Sequence, residues 1–495
     1  MDRHSRRAFL KIASMSLAAG AVNPFSDRRT LFAADAPKRP NILFVLSDDH
    51  SWPFLGCYGY PIRTPNYDRF AAEAMRFDNA FTTAPQCVPS RASLMTGISP
   101  VAAQMARFSS PLPGHLPTLP GLLQNAGYYT GACRRSYHLD GPQPLVDEPT
   151  GRLAPYVQYL IDHDMRTFQK RLDFVDVSND RTQTPDLVNA FLDQVPAESP
   201  FFLWVNFNDP HHPWDENAVT PPNDPAKLDV PGYLPDLPSV REALGRHCDE
   251  ITRSDEEFQW ILDILDKRNL RDNTIVVFMG DNGLAFPHGK GCLYDPGLHV
   301  PLLVRWPGRA KPGSVCDSLV SGEDLTPTLL DVAGVQIPDS ITGHSFLPKL
   351  VDKPFTPRDY IFGERGTHGS APWATFREDV PSSAVEYSRC VRSHRFKLIY
   401  NCTPYSRFGP VDSSHLSYWK DMQRLHDAGE LPERFDRVYF TFPRPIWELY
   451  DLDNDPDEMN NVFDDPAHAA TIKQLKSALL ENMARNRDFL PLALP

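Results

Sequence analysis

The run Asn41-Ile42-Leu43-Phe44-Val45-Leu46 is apolar after its first residue and ends in Ser47-Asp48-Asp49-His50. A short apolar run without alternation is typical of a strand that is covered on both faces. The polar residues that follow are therefore expected where a buried strand leaves the sheet.

Two later segments repeat this pattern of an apolar strand with a polar end. Residues 200–207 run into Asn208-Asp209-Pro210-His211, and residues 274–279 run into Gly280-Asp281-Asn282-Gly283. Helical patterns separate the strands, at residues 64–74, 184–194 and 240–267. Strands that alternate with helices predict an α/β fold, with a large, mainly parallel sheet sandwiched by helices. The polar strand ends should then meet at one edge, where such sheets bind ligands.

The segment Cys87-Val88-Pro89-Ser90-Arg91-Ala92-Ser93-Leu94-Met95-Thr96-Gly97 contains the candidate nucleophile. Pro89 suits a first helical position, which places Cys87 near a helix N-terminus. Backbone donors at such an end favour an anion, and Arg91 adds a permanent positive charge. The plainer interpretation, a buried free cysteine, leaves the Pro, Ser and Arg of the segment unexplained.

Acidic and amide side chains at the ends of two of the strands predict a metal site. Asp48, Asp49, Asp281 and Asn282 offer oxygen ligands, which favour calcium or magnesium over zinc or copper. The alternative is that Asp and Asn are simply common turn residues at strand ends.

These segments together resemble the type I, formylglycine-dependent sulfatases of the alkaline phosphatase superfamily. The motif Cys-x-Pro-Ser-Arg, followed after four residues by Thr-Gly, is the family signature. The segments 234–241, 249–255 and 286–294 look most like the heparan N-sulfatase (N-sulfoglucosamine sulfohydrolase) branch, and the resemblance extends from Arg39 to about Val462.

The resemblance implies a cofactor and a metal. A formylglycine-generating enzyme would oxidise Cys87 to formylglycine, whose hydrate attacks sulfur and later expels sulfate. Ca²⁺, with Mg²⁺ as the alternative, would be held by Asp48, Asp49, Asp281, Asn282 and the modified Cys87. Asp281 is also the candidate base for the attacking hydroxyl.

The resemblance also implies the remaining catalytic residues. Arg91 would hold the oxygens of the nucleophile, and His211 would contact sulfate and protonate the leaving group. Lys290 would neutralise the departing group, and His138 would take the proton when sulfate is expelled. Without the resemblance, Lys290 is a solvated surface lysine and His138 a packed loop histidine.

The chain departs from the family pattern next to His138. The usual motif is Gly-Lys followed closely by His, but here Arg134 stands at the glycine and Arg135 at the lysine. Arginine can fork two sulfate oxygens but cannot give up a proton at any working pH. We expect Arg135 to bind sulfate as a fixed charge, with Arg134 as the alternative.

Three segments organise the chain. Residues 1–36 resemble a twin-arginine signal peptide, with Arg6-Arg7, an apolar stretch over 12–22 and a small-x-small cleavage site at Ala34-Asp35-Ala36. The alternatives are an amphipathic anchor or a disordered tail. Residues 37–354 are the predicted catalytic domain, and residues 355–495 a smaller subdomain with an antiparallel sheet and a terminal helix. Export by the twin-arginine machinery predicts a periplasmic or extracellular protein.

Charge and composition exclude other classes. The 495 residues carry a formal charge of −13, which disfavours nucleic acid as a partner. No apolar run is long enough to cross a bilayer. The eight cysteines include no Cys-x-x-Cys pair, and neither their pairing nor the oligomeric state follows from the sequence.

Three functional classes compete. The first is a sulfatase that hydrolyses sulfate esters or sulfamates of a sulfated glycan. The second is a phosphodiesterase or phosphonate hydrolase of the same superfamily, and the third a non-catalytic glycan-binding homologue. The third class predicts loss of the nucleophile or of metal ligands, and all five residues of that set are present.

Overall fold

The apolar run that begins at Asn41 forms a central strand of an eight-stranded sheet. The computed structural model describes residues 39–491 except 109, 137, 142–145, 148–151, 154 and 369–385. Within these residues the strands are β1 (Asn41–Ser47), β2 (Met75–Phe77), β3 (Ala80–Phe81), β4 (Tyr129–Arg134), β5 (Val146–Asp147), β6 (Arg152–Leu153), β7 (Phe174–Asp176), β8 (Phe201–Asn206), β9 (Thr274–Gly280), β10 (Leu302–Arg305), β11 (Val315–Cys316), β12 (Val320–Ser321), β13 (Ile361–Arg365), β14 (Ser388–Arg392), β15 (Phe396–Asn401) and β16 (Trp447–Asp451).

The helices of the same residues flank this sheet and the smaller ones. They are α1 (Pro65–Glu73), α2 (Cys87–Thr96), α3 (Leu119–Asn125), α4 (Pro155–Asp162), α5 (Thr184–Leu192), α6 (Pro238–Lys267), α7 (Asp295–Leu298), α8 (Leu325–Ala333), α9 (Leu347–Leu350), α10 (Ser417–Asp427), α11 (Glu433–Tyr439) and α12 (Ala469–Arg485). The helices predicted from the sequence correspond to α1, α5 and α6, within two residues at each end.

The large sheet is mainly parallel, as the sequence predicts. Its order is β11-β2-β10-β9-β1-β8-β4-β7, and β10 is antiparallel to both of its neighbours. The strand β1 pairs in parallel with β8 and β9, so that Leu46 lies opposite Asn206 and Ser47 opposite Gly280. This register brings the residues after all three strands to one edge of the sheet.

Each face of the sheet is covered, which explains the continuous apolar runs. Along β1, Leu43 and Val45 join a core cluster with residues of α1, α5 and α6. The alternate residues Ile42, Phe44 and Leu46 join a second cluster with residues of α2, α3 and α8. Both faces of such a strand pack against apolar side chains, so its sequence does not alternate between apolar and polar residues.

A second, antiparallel sheet follows in the C-terminal part of the chain. Its order is β13-β14-β15-β16, and Leu475, Leu479 and Met483 of α12 pack on one face. The predicted smaller sheet and terminal helix are therefore confirmed, while the boundary at residue 354, between α9 and β13, stays a prediction. Among the described residues no helix is both long and apolar enough to span a membrane. The predicted signal peptide, residues 1–36, lies outside them.

Candidate active site

The ends of β1 and β9 form the floor of a buried polar site. Asp48, Asp49, Asp281 and Asn282 are fully buried there. The backbone N–H of Asp49 donates to Asp281 Oδ1 at 3.0 Å, and Asn282 Nδ2 donates to Asp49 Oδ1 at 2.8 Å. The register of the two parallel strands thus joins acidic pairs that are more than two hundred residues apart in the sequence.

Cys87 is the first residue of α2 and faces this floor. Its Sγ lies 3.2 Å from Asp48 Oδ1 and 3.9 Å from Asp49 Oδ1. The expected position near a helix N-terminus is confirmed, but Pro89 is the third helical residue and not the first. The hydroxyl of Ser90 donates to the carbonyl of Asp281, which ties the helix to the end of β9.

The unmodified Cys87 thiol is poorly suited to act as a nucleophile. Desolvation, reinforced by the negative charge of Asp48, raises the pKa of this thiol well above its usual range, although Lys290 opposes the shift. The thiolate is the reactive form of cysteine, so the thiol would stay protonated and inert.

The residues fit a divalent cation. Asn282 Oδ1 is buried without a hydrogen-bond partner. The Nδ2 of the same amide donates to Asp49 Oδ1 and to the carbonyl of Gly283, which fixes the orientation of the amide. Potential ligand atoms of Asp48, Asp49, Cys87 and His211 all lie within 4.8 Å of one another. Such an orphaned oxygen beside clustered carboxylates is what a hard cation requires.

The same floor carries excess negative charge. Burial, reinforced by neighbouring carboxylates, raises the pKa of Asp49 to about 7 and that of Asp281 to about 6. Lys290 opposes the first shift and Arg91 the second. Carboxylates that resist ionisation in this way would be relieved by a bound cation.

Two arginines hold the remaining face of the site. Arg91 bridges Asp48 Oδ2 at 3.0 Å and Asp281 Oδ2 at 2.9 Å, and it also donates to Asn206 Oδ1 at the end of β8. Arg135 reaches the same Asp48 oxygen at 2.9 Å and donates to Asn208. Burial would raise the pKa of Asp48, but Arg135 and Arg91 lower it well below its usual range.

The structure separates the two adjacent arginines. Arg134 has a φ of 68°, in the left-handed region that favours glycine, which explains why glycine suits this position. Its side chain leaves the site and pairs with Glu257 of α6 at 3.0 Å. Arg135, the predicted substitute for lysine, is therefore the arginine that lines the site.

Lys290 and His211 continue the site from Asp49 to Arg135, whose Nη2 lies 3.5 Å from His211 Nε2. Lys290 Nζ lies 2.9 Å from Asp49 Oδ2 and 3.1 Å from His211 Nε2. Desolvation, followed by Lys290 and Arg135, lowers the pKa of His211 well below its usual range, so the ring is neutral. Because His211 Nδ1 faces the carbonyl of His212, Nδ1 carries the proton and Nε2 accepts from Lys290.

His138 lies beside the arginines. Its ring is buried, and desolvation, followed by Arg91 and Arg135, lowers its pKa well below the ordinary value. Phe108 packs edge-on against it, with ring centroids 6.4 Å apart. The predicted site residues therefore all gather in one place, although their roles stay predictions.

The structure adds Asp412 and Gln86, which the sequence did not indicate, and places His368 beside both. Asp412 pairs with Lys290 at 2.7 Å and with His368 at 3.5 Å. Gln86, the residue before Cys87, donates from Nε2 to His368 Nδ1 at 2.9 Å. Adjacency to Cys87 could have indicated Gln86, but Asp412 lies in irregular chain without a flanking pattern.

Comparison with protein families assigns the class. The model described as "Sulfatase" matches residues 40–335, and the model described as "N-sulphoglucosamine sulphohydrolase, C-terminal" matches residues 286–412 and 417–485. The chain belongs to the sulfatase family, the sulfuric ester hydrolases. This confirms the resemblance stated from the motifs.

A sequence relative and two solved structures are similar to this chain. Human N-sulphoglucosamine sulphohydrolase is 28% identical, and the match covers 89% of each chain. The protein BT4656, solved in complex with its substrate D-glucosamine-2-N,6-O-disulfate, gives a TM-score of 0.65 at 21% identity and covers 92% of this chain and 100% of that one.

The second structure is the phosphonate monoester hydrolase of Silicibacter pomeroyi, with a TM-score of 0.67 at 22% identity, covering 91% of this chain and 96% of that one. At these identities the two structures support the fold alone, which is the predicted alkaline-phosphatase-like α/β fold.

Proposed function

We propose that the protein hydrolyses sulfate esters or sulfamates of a sulfated saccharide at the site around Cys87. The observation that carries the proposal is the position of Cys87 Sγ, 3.2 Å from Asp48 Oδ1 at a helix N-terminus, beside the unpartnered Asn282 Oδ1. A nucleophile, an anion-binding helix end and an oxygen-rich cation site thus lie together.

Two groups complete the chemistry of this site. Formylglycine made from Cys87 by a formylglycine-generating enzyme would supply a hydroxyl nucleophile that the buried thiol cannot. Ca²⁺, or Mg²⁺ in its place, would polarise a sulfate oxygen and activate that hydroxyl. We assign Asp48, Asp49, Asp281, Asn282 and the modified Cys87 as its ligands, because this mixed oxygen set suits a flexible hard cation.

The surrounding side chains would orient sulfate and move protons. Arg91 fixes the two acidic strand ends through Asp48 and Asp281, and Arg135 places a fixed charge beside them. Asp281 Oδ1 accepts a hydrogen bond from the backbone of Asp49, and Oδ2 accepts one from Arg91. We assign this positioned carboxylate as the base for the attacking hydroxyl.

Lys290 Nζ donates to His211 Nε2, and Arg135 Nη2 lies 3.5 Å from the same nitrogen. His211 would protonate the leaving group, Lys290 would neutralise its charge, and His138 would accept the proton released when sulfate is expelled.

The proposed substrate class is a sulfated glycan, because the relative named above is an N-sulphoglucosamine sulphohydrolase and the neighbour is bound to a disulfated glucosamine. The fold is shared with a phosphonate monoester hydrolase, so phosphonate and phosphate diesters form the second candidate class. Matched aryl sulfate, aryl phosphate diester and aryl phosphonate substrates would separate the two.

The test begins with the protein from a host that contains a formylglycine-generating enzyme. Mass analysis of the peptide containing Cys87 should show the oxidised residue, and elemental analysis should show calcium or magnesium near stoichiometry. Sulfate release should require both. Full sulfatase turnover by Cys87→Ala, or stoichiometric zinc without calcium or magnesium, would contradict the proposal.

We also propose export through the twin-arginine machinery, supported by Arg6-Arg7 ahead of the apolar stretch over 12–22. This route carries folded proteins, which allows Cys87 to be modified in the cytoplasm first. Fractionation of cells that express Arg6→Lys with Arg7→Lys should find the protein retained. Export equal to that of the unchanged chain would point to another route.

A further inference from the structure

Asp412 stands between the buried chemistry and solvent. Its side chain is 32% exposed, whereas Lys290 is 1% exposed and Asp49 is fully buried. The carboxylates and the amine form the chain Asp49–Lys290–Asp412, with Nζ at 2.9 Å from the inner oxygen and 2.7 Å from the outer one. Asp412 is therefore the outer end of the site on the side of Lys290.

The substrate must extend past this outer end. Its sulfate has to reach Cys87, which is fully buried at the floor. Among the described side chains that line the site, Asp412 at 32% is more exposed than His211 at 18% and Arg135 at 12%, so the remainder of the molecule would leave toward solvent past it. Asp412 Oδ2 also lies 4.0 Å from His211 Nε2, the atom placed toward the leaving group.

Several contacts hold the carboxylate in this place. His368 Nε2 lies 3.5 Å from Asp412 Oδ1, and Gln86 donates to the other nitrogen of that ring. Phe108 packs on the same imidazole with centroids 4.7 Å apart. The position is thus built from three segments of the chain, and Asp412 adopts a left-handed φ of 64° to reach it.

Asp412 is ionised in this setting. Desolvation would raise its pKa, but Lys290 and His368 lower it well below the usual range. With it, the carboxylates of the site, Asp48, Asp49, Asp281 and Asp412, outnumber the cations Arg91, Arg135 and Lys290. A second anion on the substrate would add negative charge next to Asp412.

We propose that Asp412 is a specificity-determining residue that disfavours substrates with a second anionic group beside the scissile sulfate. Hydroxyl or ammonium neighbours can donate to its partly exposed carboxylate, while a neighbouring sulfate or carboxylate meets a like charge there. The inference rests on the proposed sulfatase function and adds which substrates that function accepts.

The experiment uses two probes that differ in one charge: para-nitrophenyl sulfate and its analogue with a carboxylate ortho to the sulfate. In Asp412→Asn, the ratio of kcat/KM for the carboxylated to the plain probe should rise about tenfold, which corresponds to about 1.4 kcal/mol. Asp412→Glu keeps the charge and should keep the ratio of the unchanged enzyme. Asp453→Asn removes an exposed charge whose recorded partner is Arg395, and it controls for net charge.

A second readout does not depend on turnover. Calorimetry with the Cys87→Ala protein should show weaker binding of the carboxylated probe, and the difference should shrink when Asp412→Asn is added or when salt is raised. Equal ratios in Asp412→Asn and the unchanged enzyme, or an equal loss on both probes, would overturn the inference and reduce Asp412 to a support for Lys290. Failure of the unchanged enzyme to hydrolyse the plain sulfate would instead overturn the proposed function.

Discussion

Two buried arginine–carboxylate clusters in this protein differ in how many cations each acid receives. In the site cluster, Asp48 pairs with both Arg91 and Arg135. In what we call the rear cluster, Arg134, Glu257 and Thr184, the acid receives one arginine and a hydroxyl. The adjacent residues Arg134 and Arg135 thus supply one cluster each.

The difference appears in the pKa values of the two acids. Burial raises both, yet the pKa of Asp48 ends well below its usual range, while that of Glu257 rises to about 7. Two cations outweigh the desolvation of one buried carboxylate, and one cation does not. The site therefore keeps a charged carboxylate at neutral pH, whereas the rear cluster contributes mainly to the position of β4 against α6.

The largest effect should come from removing the nucleophile, which belongs to the site cluster alone. Cys87→Ala should abolish turnover of an aryl sulfate, because the proposed formylglycine nucleophile can be made only from this side chain. Thermal unfolding serves as the control and should change little, since alanine fits the same helix start. Retained activity in Cys87→Ala would contradict the assignment of catalysis to the site cluster, because another residue would then supply the nucleophile.

The rear cluster should affect stability more than rate. Arg134→Ala leaves Glu257 buried without its cation, and the loss of unfolding free energy should stay below the about 3–5 kcal/mol of an unpaired buried charge, because Glu257 can take up a proton. Arg134→Gly loses the same pair but suits the φ of 68°, so it should be less destabilising by about 1 kcal/mol. Chemical denaturation measures both. A loss of rate without a loss of stability would place Arg134 in the site after all.

Arg135 should show the opposite pattern. A charge held beside developing negative charge is worth about 3 kcal/mol, or roughly a hundredfold in rate. Arg135→Ala should lower kcat/KM for an aryl sulfate by that amount. Arg135→Lys should lower it by less, because lysine keeps the positive charge but cannot donate two parallel hydrogen bonds as the guanidinium does. An Arg135→Ala enzyme within about twofold of the unchanged one would remove the sulfate contact from this residue.

The features predicted from the sequence are those that depend on local residue patterns. The unbroken apolar runs predicted β1, β8 and β9, since a strand covered on both faces leaves no alternation. The polar ends of those strands and the segment at Cys87 predicted the floor of the site, because parallel strands bring their carboxyl ends to one edge. The family resemblance then added Arg135, His138, His211 and Lys290.

The rest depends on tertiary contacts that leave no local signature. Asp412 reaches Lys290 and His368 reaches Asp412 from irregular chain, and nothing in their flanking residues distinguishes them from ordinary loop residues. The separation of Arg134 from Arg135 follows from one backbone angle, and the partner of Arg134 is 123 residues away. The offset of Pro89 shows that even a helix start shifts by two residues when its N-terminus is fixed by packing.

The smallest expected effect is a pH dependence of the free energy of unfolding, which arises from Glu257 of the rear cluster. Between 4.5 and about 7 the folded chain keeps a proton on Glu257 that the unfolded chain releases. The free energy of unfolding should therefore fall as pH rises through this window, by at most about 1.4 kcal/mol per pH unit, and Glu257→Gln should remove that slope. Desolvation lowers the pKa of the buried His247 ring to about 3, which makes the free energy of unfolding rise with pH. This contribution is the same in the unchanged protein and in Glu257→Gln, so the difference between their two pH profiles isolates Glu257. Denaturation of the unchanged protein, Glu257→Gln and the exposed control Glu256→Gln at several pH values measures it. Parallel curves would show that Glu257 stays ionised beside Arg134, and that one arginine is as effective as two.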